Sequence, residues 1–428
     1  MRQTTGIILL EMLTGAVLLV GMVAALIAWR LVSGPTDINF LKPDVEAAIS
    51  DARGGRNVEI ANLTLQWLQE DTEFKLVADK IRFLDDKGET VGGADEAQID
   101  LNAVALLGGR FELSELVLSG GTLSIKRSAA GEIRIADHVI PPLDPSLLPE
   151  YPTPVQILEF SINNIVSNVR QSQTVKQLDK ISLQEFSVSF IDEALKIDWT
   201  IENVALDVVH ADDEISVQAN GDPIGEGAPQ TAKFTTDLNL QTGAFELAAT
   251  LLQLPVAEFP ALKDFQPSLT GELKADILLQ AAFDGENVQR LSASLETKSG
   301  EVRFGDSVIR LGRNDLTVLY DVAGDAFEID GRELDANFLK GAVLLRFPGA
   351  EGWLTAPLTV AHAVEVISPR LSLDFRPMFP SLWSFDSARV EGEVDLKNLL
   401  FRFDKAAVKV DNATANASGE IYLADKQA

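Results

Sequence analysis

Residues whose types and spacing could support chemistry are few in this chain of 428 residues. His210 precedes Asp212 and Asp213, and an imidazole beside two carboxylates can bind a metal ion. The same residues lie between Val209 and Ile215, which both have strand character. We therefore predict a turn whose carboxylates are solvated.

A second acidic group surrounds two glycines further along the chain. Asp321, Asp325 and Asp330 lie close to Gly324 and Gly331. Their spacing does not match the ligand spacing of an EF-hand calcium loop. We predict that these aspartates lie at hairpin tips and not in a metal site.

The remaining composition excludes several functional classes. The chain has no cysteine and only three histidines, the other two being His138 and His362, so it offers no thiolate ligand and little material for acid–base catalysis. It contains no nucleophile elbow, P-loop, zinc-protease or dinucleotide-binding motif. Its formal net charge of −28 opposes nucleic-acid binding, which needs clustered lysine and arginine. We expect no enzymatic activity, no cofactor and no nucleic-acid partner.

An apolar segment near the N-terminus predicts a membrane anchor. Residues 12–29 form an uncharged run of 18 residues, which is long enough to span a bilayer as a helix. A cleaved signal peptide is the main alternative, but residues 25–30 make a poor cleavage site. A large acidic body behind such an anchor predicts a single-pass protein of the bacterial inner membrane with most of its chain in the periplasm. The predicted anchor residues include Met12, Leu18, Val20, Leu26 and Trp29.

Beyond this anchor, apolar and polar residues alternate with a period of two. Such alternation is typical of antiparallel strands that have one apolar and one solvated face. It occurs at 186–190, 195–201, 245–251, 273–283, 316–322 and 371–375. Turn signals that contain glycine separate the strands, at 119–121, 130–131, 284–285, 299–300, 323–325 and 418–419. The chain is therefore predicted to be mostly β.

Helices are expected in few places, and one internal boundary is expected. Residues 37–53 have Pro43 near their start and Gly54 directly after their end, which is the order that helices favour. Short helical turns are expected within 254–265 and 376–385.

Six prolines crowd into residues 141–154 and cannot pair in a central strand. The predicted organisation is given by four ranges: an anchor (1–33), a helix-and-β module (34–140), a proline-rich connection (141–156) and an extended antiparallel β body (157–428). A long surface loop inside one continuous sheet is the alternative for the connection.

The apolar strand faces need an apolar partner. Two sheets packed face to face would bury them, whereas a long single sheet can curl so that its apolar face lines a groove. An exposed apolar surface of this size marks a binding site, and an acyl chain gains about 0.8 kcal/mol for each buried CH₂ group. We expect phospholipid acyl chains as the partner. The candidate lining residues are Leu273, Ile277, Leu279, Phe283, Leu316, Val318 and Tyr320.

Residues 110–135 resemble a sequence motif of the AsmA-like superfamily. The motif has a basic residue, a strand of the type x-L-x-x-L-x-L, a small-residue turn, and then L-x-I-x-R followed by a glycine. In this chain its positions are filled by Leu113, Leu116, Leu118, Leu123, Ile125, Arg127 and Gly131. Residues 60–67 and 74–83 look like the preceding strand pair. The segments 379–383, 388–394 and 399–403 are similar to a recurring step of the YhdP branch of this superfamily.

The resemblance implies a long repeating β-groove, apolar inside, that is anchored in the inner membrane and extends towards the outer membrane. It also implies a role in phospholipid movement and in outer-membrane integrity, although members of the YhdP branch are usually longer than this chain. Two other functions stay open. One is an assembly factor that offers strand edges to outer-membrane proteins. The other is a structural β-solenoid, which the uneven spacing of the turns disfavours.

Overall fold

The computed structural model describes residues 34–52, 55–68, 73–85, 87–102, 113–129, 131–136, 138–140, 179–259, 269–271, 273–304, 307–322, 324–337, 339–350, 361–374, 383–395 and 400–422. Strands dominate these ranges, and each strand pair for which a register is defined is antiparallel. The prediction of a mostly antiparallel β protein is confirmed. The chain divides into two units, residues 1–123 with 173–186 and residues 124–172 with 187–428. The domain limits drawn from the sequence stay a prediction, because the proline-rich connection lies outside the described residues.

The strands follow one another in chain order along most of both units. Their bounds are β1 (Thr36–Asp37), β2 (Val58–Glu59), β3 (Asn62–Leu68), β4 (Glu73–Leu84), β5 (Thr90–Asn102), β6 (Leu113–Arg127), β7 (Ile133–Ile135), β8 (His138–Ile140), β9 (Lys180–Asp192), β10 (Ile197–Ala211), β11 (Glu214–Ile224), β12 (Thr231–Asn239), β13 (Phe245–Pro255), β14 (Leu269–Gly271), β15 (Lys274–Phe283), β16 (Val288–Thr297), β17 (Gly300–Phe304), β18 (Ser307–Leu311), β19 (Asn314–Asp321), β20 (Ala326–Ala336), β21 (Leu339–Pro348), β22 (His362–Leu373), β23 (Trp383–Phe385), β24 (Ser387–Asp395), β25 (Leu400–Val410) and β26 (Ala413–Tyr422).

In the first unit, one helix covers the sheet. The helix α1 (Lys42–Ala52) places Val45 and Ile49 against a buried cluster on β2 to β5. Two side chains fasten this cover to the sheet edge: Glu46 Oε1 accepts the N–H of Ile60 at 2.8 Å, and Asn39 Oδ1 accepts the N–H of Leu63 at 2.8 Å. The cluster consists of Ile38, Val58, Ile60, Leu63, Ala78, Ile81 and Ala97.

The predicted helices are partly confirmed. The helix expected at 37–53 starts later, because Thr36–Asp37 pairs with β3 as a short strand and Asn39–Leu41 forms a 3₁₀ turn. The expected turn within 254–265 is a 3₁₀ helix at Val256–Glu258. Within 376–385 only the strand β23 is described, and residues 376–382 lie outside the described residues, so the short helical turn expected in this segment stays a prediction.

Two predicted turns are wrong, because their glycines lie inside strands. β6 runs unbroken through residues 119–121, with Gly120 at a φ of +57° inside the strand. A Cβ added to Gly121 would lie 2.6 Å from the ring of Phe186, so this glycine makes room for an aromatic ring. Likewise Gly419 lies within β26, and a Cβ there would lie 3.0 Å from the ring of Phe403. The signals at 131, 284–285, 299 and 324–325 do lie between strands.

In the second unit, a sheet of successive antiparallel strands is built almost entirely from hairpins. The pairing order is β10, β11, β12, β13, β15, β16, β19, β20, β21, β22, β24, β25 and β26. The short strands β14, β17 and β18 pair with one another beside this sheet, while β13 pairs directly with β15 and β16 with β19. The long runs of antiparallel neighbours explain why the sequence alternates so regularly.

The predicted membrane anchor lies outside the described residues. Met12, Leu18, Val20, Leu26 and Trp29 all belong to residues 1–33, which are not among the ranges given above. Within those ranges, no helix combines the length and the hydropathy needed to cross a bilayer.

Candidate functional site

An unbroken line of apolar side chains crosses the sheet of the second unit. The register of each strand pair places one apolar residue of every strand beside the next, so that the line runs perpendicular to the strands. We call it the central apolar row. It consists of Leu206, Ala219, Phe234, Ala249, Leu279, Ala293, Val318, Ile329, Leu345, Val366, Val390, Ala406 and Ala417.

None of the residues in the central apolar row is buried. Leu279 is 41% exposed and Val318 is 39% exposed, although both lie in the middle of their strands. A core packed against a second layer would leave almost no exposure at such positions. Within the described part of the unit, this face therefore has no covering layer.

A second apolar row lies two residues further along each strand and thus on the same face. Its aromatic members include Tyr320 and Phe327, whose ring centroids are 4.9 Å apart. Between the two rows lies a shallow cavity of about 350 Å³, lined by Leu247, Leu279, Leu291, Val318, Tyr320 and Phe327 among others. The second row consists of Val208, Val217, Thr236, Leu247, Ala281, Leu291, Tyr320, Phe327 and Phe347.

The opposite face of the same strands is polar. Residues that alternate with the two apolar rows include Asp207, Gln218, Thr235, Gln280, Ser292, Glu328, Arg346, Glu365, Glu391 and Lys405. Ion pairs cross this face, with Arg346 Nε 3.3 Å from Glu328 Oε1, and with Arg389 paired to both Glu365 and Glu391. The two faces therefore differ in chemistry, and only one of them suits an apolar ligand.

Bulges and buried strand ends frame the apolar rows. From β10 to β22, five of the six register shifts lie on one side of the central apolar row, and bulges of this kind bend a strand and increase its twist. The five lie at Glu202/Ala205, Leu251/Leu254, Asp315/Leu316, Gly331/Leu334 and Ala342/Leu344, and the sixth, at Ala282/Phe283, lies on the other side. Buried apolar residues of these strands lie towards the strand ends, for example Trp199, Leu254, Phe283, Val288 and Ala326. They flank the central apolar row on both sides, although some strand ends, such as Ile224 and Val410, also expose an apolar side chain.

The seven candidate lining residues fall into two groups. Leu279, Val318 and Tyr320 lie at the apolar cavity, and Ile277 and Leu316 lie on the same face two residues before Leu279 and Val318 in β15 and β19. Leu273 and Phe283 instead lie at strand ends and are 6% and 3% exposed, and the Phe283 ring stacks on Phe245 at 5.4 Å. That any of them contacts lipid stays a prediction.

Most of the central apolar row was not predicted. Sequence alternation identifies which residues of one strand share a face, but only the hairpin register identifies their neighbours on the next strand. The turn at Asp212–Asp213 would have allowed part of this register to be counted, since β10 and β11 pair without a shift between the turn and Leu206. That count would have added Ala219, whereas a count from Asp284 would fail at the register shift beside Phe283.

The histidine and aspartate groups do not form a metal site. Asp212 and Asp213 form the turn between β10 and β11, as predicted, and Asp325 lies in the turn between β19 and β20. Asp330 does not lie at a hairpin tip, because it pairs inside β20 and accepts a hydrogen bond from Arg332 Nε at 3.1 Å. Of the other histidines, His138 lies in β8 and His362 is buried at the start of β22. Among the described residues, no group of three potential ligands could hold a metal ion.

Together these features define an antiparallel β-sheet protein with an extended apolar face and no recognisable catalytic or metal centre among the described residues. The model of the YhdP protein family matches residues 1–358 of the chain. Because the match covers most of the sequence, the chain belongs to the YhdP branch of the AsmA-like superfamily, as the resemblance implied. No curated protein and no solved structure shows a significant match.

Proposed function

We propose that the second unit binds phospholipid acyl chains along its apolar rows and conducts them between the inner and outer membranes. The observation that carries this proposal is the central apolar row, which is apolar on thirteen successive strands yet buried on none of them. Membership of the YhdP family supports the same reading. The described residues offer no constellation that would support an enzymatic alternative.

The dimensions of the row suit this ligand. With strands about 4.8 Å apart, twelve intervals give a length of roughly 58 Å. Each CH₂ group that leaves water for such a surface gains about 0.8 kcal/mol, and the gain does not depend on where along the row it lies. A row of equivalent apolar positions holds a chain without trapping it at one place, which is what conduction needs. A charged head group would stay in water at the open side.

The proposal includes curling of the sheet around the acyl chain. The five register shifts on one side of the central apolar row support it, because bulges bend strands locally. The buried residues at the strand ends support it as well, since they flank the central apolar row on both sides.

We also propose that residues 12–29 anchor the protein in the bacterial inner membrane, with the remainder in the periplasm. The family match includes this segment. Extraction with alkaline carbonate should leave the chain in the membrane fraction, and protease added to spheroplasts should digest it. Release by carbonate or complete protection from protease would contradict this placement.

Site-specific photocrosslinking tests the lipid assignment. A photoreactive amino acid at Val318 should crosslink phospholipids in membranes, which mass spectrometry of the crosslinked chain would identify. The same amino acid at Thr317 is the matched control, because this neighbour points to the polar face and its hydroxyl lies 3.0 Å from that of Ser294. Equal lipid crosslinking at both positions, or none at Val318, would contradict the proposal.

A charge substitution provides a second test. Val318→Asp should leave the protein folded, because the side chain is already 39% exposed, but should reduce the lipid that copurifies with the chain. If the substitution unfolds the protein, the face is a closed core. If the variant is folded and retains all of its lipid, the apolar rows are not the binding surface.

A further inference from the structure

A cavity of mixed charge lies in the first unit, and Ile81 of the helix-covered core forms part of its lining. Its volume is about 480 Å³, and its charged lining consists of Lys80 and Arg82 on β4, Asp95 on β5 and Glu185 on β9. All four residues are exposed at the surface. The cavity therefore brings two cations and two carboxylates to one place.

The backbone around this cavity is unusual. Lys80 has a φ of +50°, Glu185 has a φ of +56°, and Gly120 on the strand between them has a φ of +57°. Residues other than glycine rarely adopt this left-handed backbone conformation, and those that do concentrate at functional sites. Gly120 also leaves room for a neighbour, because a Cβ there would lie 2.8 Å from Asp95 Oδ2.

Two left-handed residues of the second unit show how such positions are normally satisfied. Asn203, with a φ of +53°, donates from Nδ2 to Asp222 Oδ2 at 3.2 Å. Gln253, with a φ of +57°, donates from its backbone N–H to Asp276 Oδ1 at 2.7 Å and from Nε2 to the same atom at 3.4 Å. In both cases the amide side chain donates a hydrogen bond to the carboxylate of an aspartate on the adjacent strand.

Within the described part of the first unit, the left-handed residue Lys80 lacks the side-chain hydrogen bond that Asn203 and Gln253 make. Lys80 and Asp95 lie between two paired positions of β4 and β5, namely Asp79 with Glu96 and Ile81 with Ala94. Yet within the described residues no hydrogen bond or ion pair engages Lys80, Asp95 or Glu185. Arg82 makes only a long contact of 4.0 Å with Glu59. Opposite charges on facing strands stabilise a sheet when they pair, and side chains that do not pair with each other leave both signs available to a ligand.

We propose that this cavity binds the zwitterionic head group of a phospholipid, in which an ammonium and a phosphate are separated by two carbons. Lys80 and Arg82 would hold the phosphate, since ammonium and guanidinium groups donate strongly to phosphate oxygens. Asp95 and Glu185 would accept the N–H groups of the ammonium. A ligand with only one of the two charges would leave the other pair of side chains unsatisfied.

The proposal rests on the proposed function in one respect, namely that the ligand is a phospholipid. The apolar rows of the second unit and this cavity share no residue, so each can fail without the other. A soluble head group that carries no acyl chain separates the two questions.

Calorimetric titration of the full chain in detergent with glycerophosphoethanolamine tests the site. This compound should bind at least tenfold more tightly than glycerol 3-phosphate, which lacks the ammonium, or ethanolamine, which lacks the phosphate. Lys80→Gln copies the arrangement of Gln253 and should weaken binding about tenfold without changing the melting temperature. Glu185→Gln should have a similar effect, and Lys233→Gln, at an exposed position of β12 in the second unit, should have none.

Crosslinking in proteoliposomes distinguishes a lipid head group from the free compound. A photoreactive amino acid at Thr122, which also lines the cavity, should crosslink phosphatidylethanolamine and not phosphatidylglycerol. Binding of glycerol 3-phosphate as tight as that of glycerophosphoethanolamine would overturn the zwitterion assignment. Unchanged affinity in a folded Lys80→Gln variant would overturn the site, and equal crosslinking of the two lipids would overturn the lipid source.

Discussion

The two units use the same strand pattern for opposite purposes. In the first unit, α1 lies on the sheet, and beneath it Ile60 and Leu63 are 1% and 0% exposed. In the second unit, Leu279 and Val318 lie in the interior of their strands and remain about two-fifths exposed. The difference teaches that alternation determines which residues share a face, whereas a covering element decides whether that face becomes a core or a surface.

The largest expected effect comes from truncating one apolar residue in each unit. Leu63→Ala should cost about 2–5 kcal/mol, because it removes a fully buried side chain and leaves a cavity that the surrounding sheet and helix cannot fill. Leu279→Ala should cost less than about 1 kcal/mol, because much of that side chain is already in water. Native-state hydrogen exchange of β3 and β15 in the full chain measures both costs.

Equal costs at the two positions would break the comparison. A large loss at Leu279 would indicate that another layer covers the second sheet in solution. Such a result would also remove the physical basis for an acyl-chain surface, because a closed core has no room for a ligand.

The two glycines that make room for aromatic rings of neighbouring strands provide a finer test. Gly121→Ala should destabilise the first unit by roughly 1–3 kcal/mol, since the added methyl would meet the carbonyl oxygen of Gly93 at 2.3 Å and the ring of Phe186 at 2.6 Å. Gly419→Ala should cost clearly less, because the nearest atom is the ring of Phe403 at 3.0 Å and β26 is exposed. Thermal unfolding of the two variants checks the order, and a reversed order would show that the outer strand of the second unit is the more tightly packed.

The same glycines show what the sequence could and could not reveal. Alternation predicted the strands, the antiparallel pairing and one face of the site, because these depend on local periodicity. The local sequence predicts turns at Gly121 and Gly419, because the need to accommodate the rings of Phe186 and Phe403 arises from strand pairing and is invisible in the local sequence. The central apolar row was missed for the same reason, because it depends on the register of twelve strand pairs. The buried ends at Leu273 and Phe283 depend on neighbours that lie far away in sequence.

A smaller effect is expected where the helix is fastened to the first sheet. Glu46→Gln should cost about 1 kcal/mol, because a neutral amide oxygen accepts the N–H of Ile60 more weakly than the carboxylate does. The control is Glu59→Gln, whose partner Arg82 is 4.0 Å away at the surface and should contribute almost nothing. Hydrogen exchange of the Ile60 amide measures the difference. If both variants change the exchange rate of the Ile60 amide equally, the Glu46 carboxylate does not hold α1 on the sheet.

The smallest effect should be the same in both units. Backbone N–H groups of Glu89 and Lys87 lower the pKa of Asp85 in the turn between β4 and β5, and those of Asn287 and Glu286 lower the pKa of Asp284 in the turn between β15 and β16. A carboxyl group with a lowered folded pKa stabilises its turn at neutral pH, and this contribution is lost as the pH falls through that pKa.

The amide nitrogen shifts of Glu89 and Asn287 should therefore change together, at a pH below the usual range for aspartate. Asp85→Asn and Asp284→Asn should each abolish the change in their own turn only. Neither turn involves the apolar face, so a covering layer has no means to make them differ. A titration seen in one turn and absent from the other would show that the two units differ in more than the element that covers their sheets.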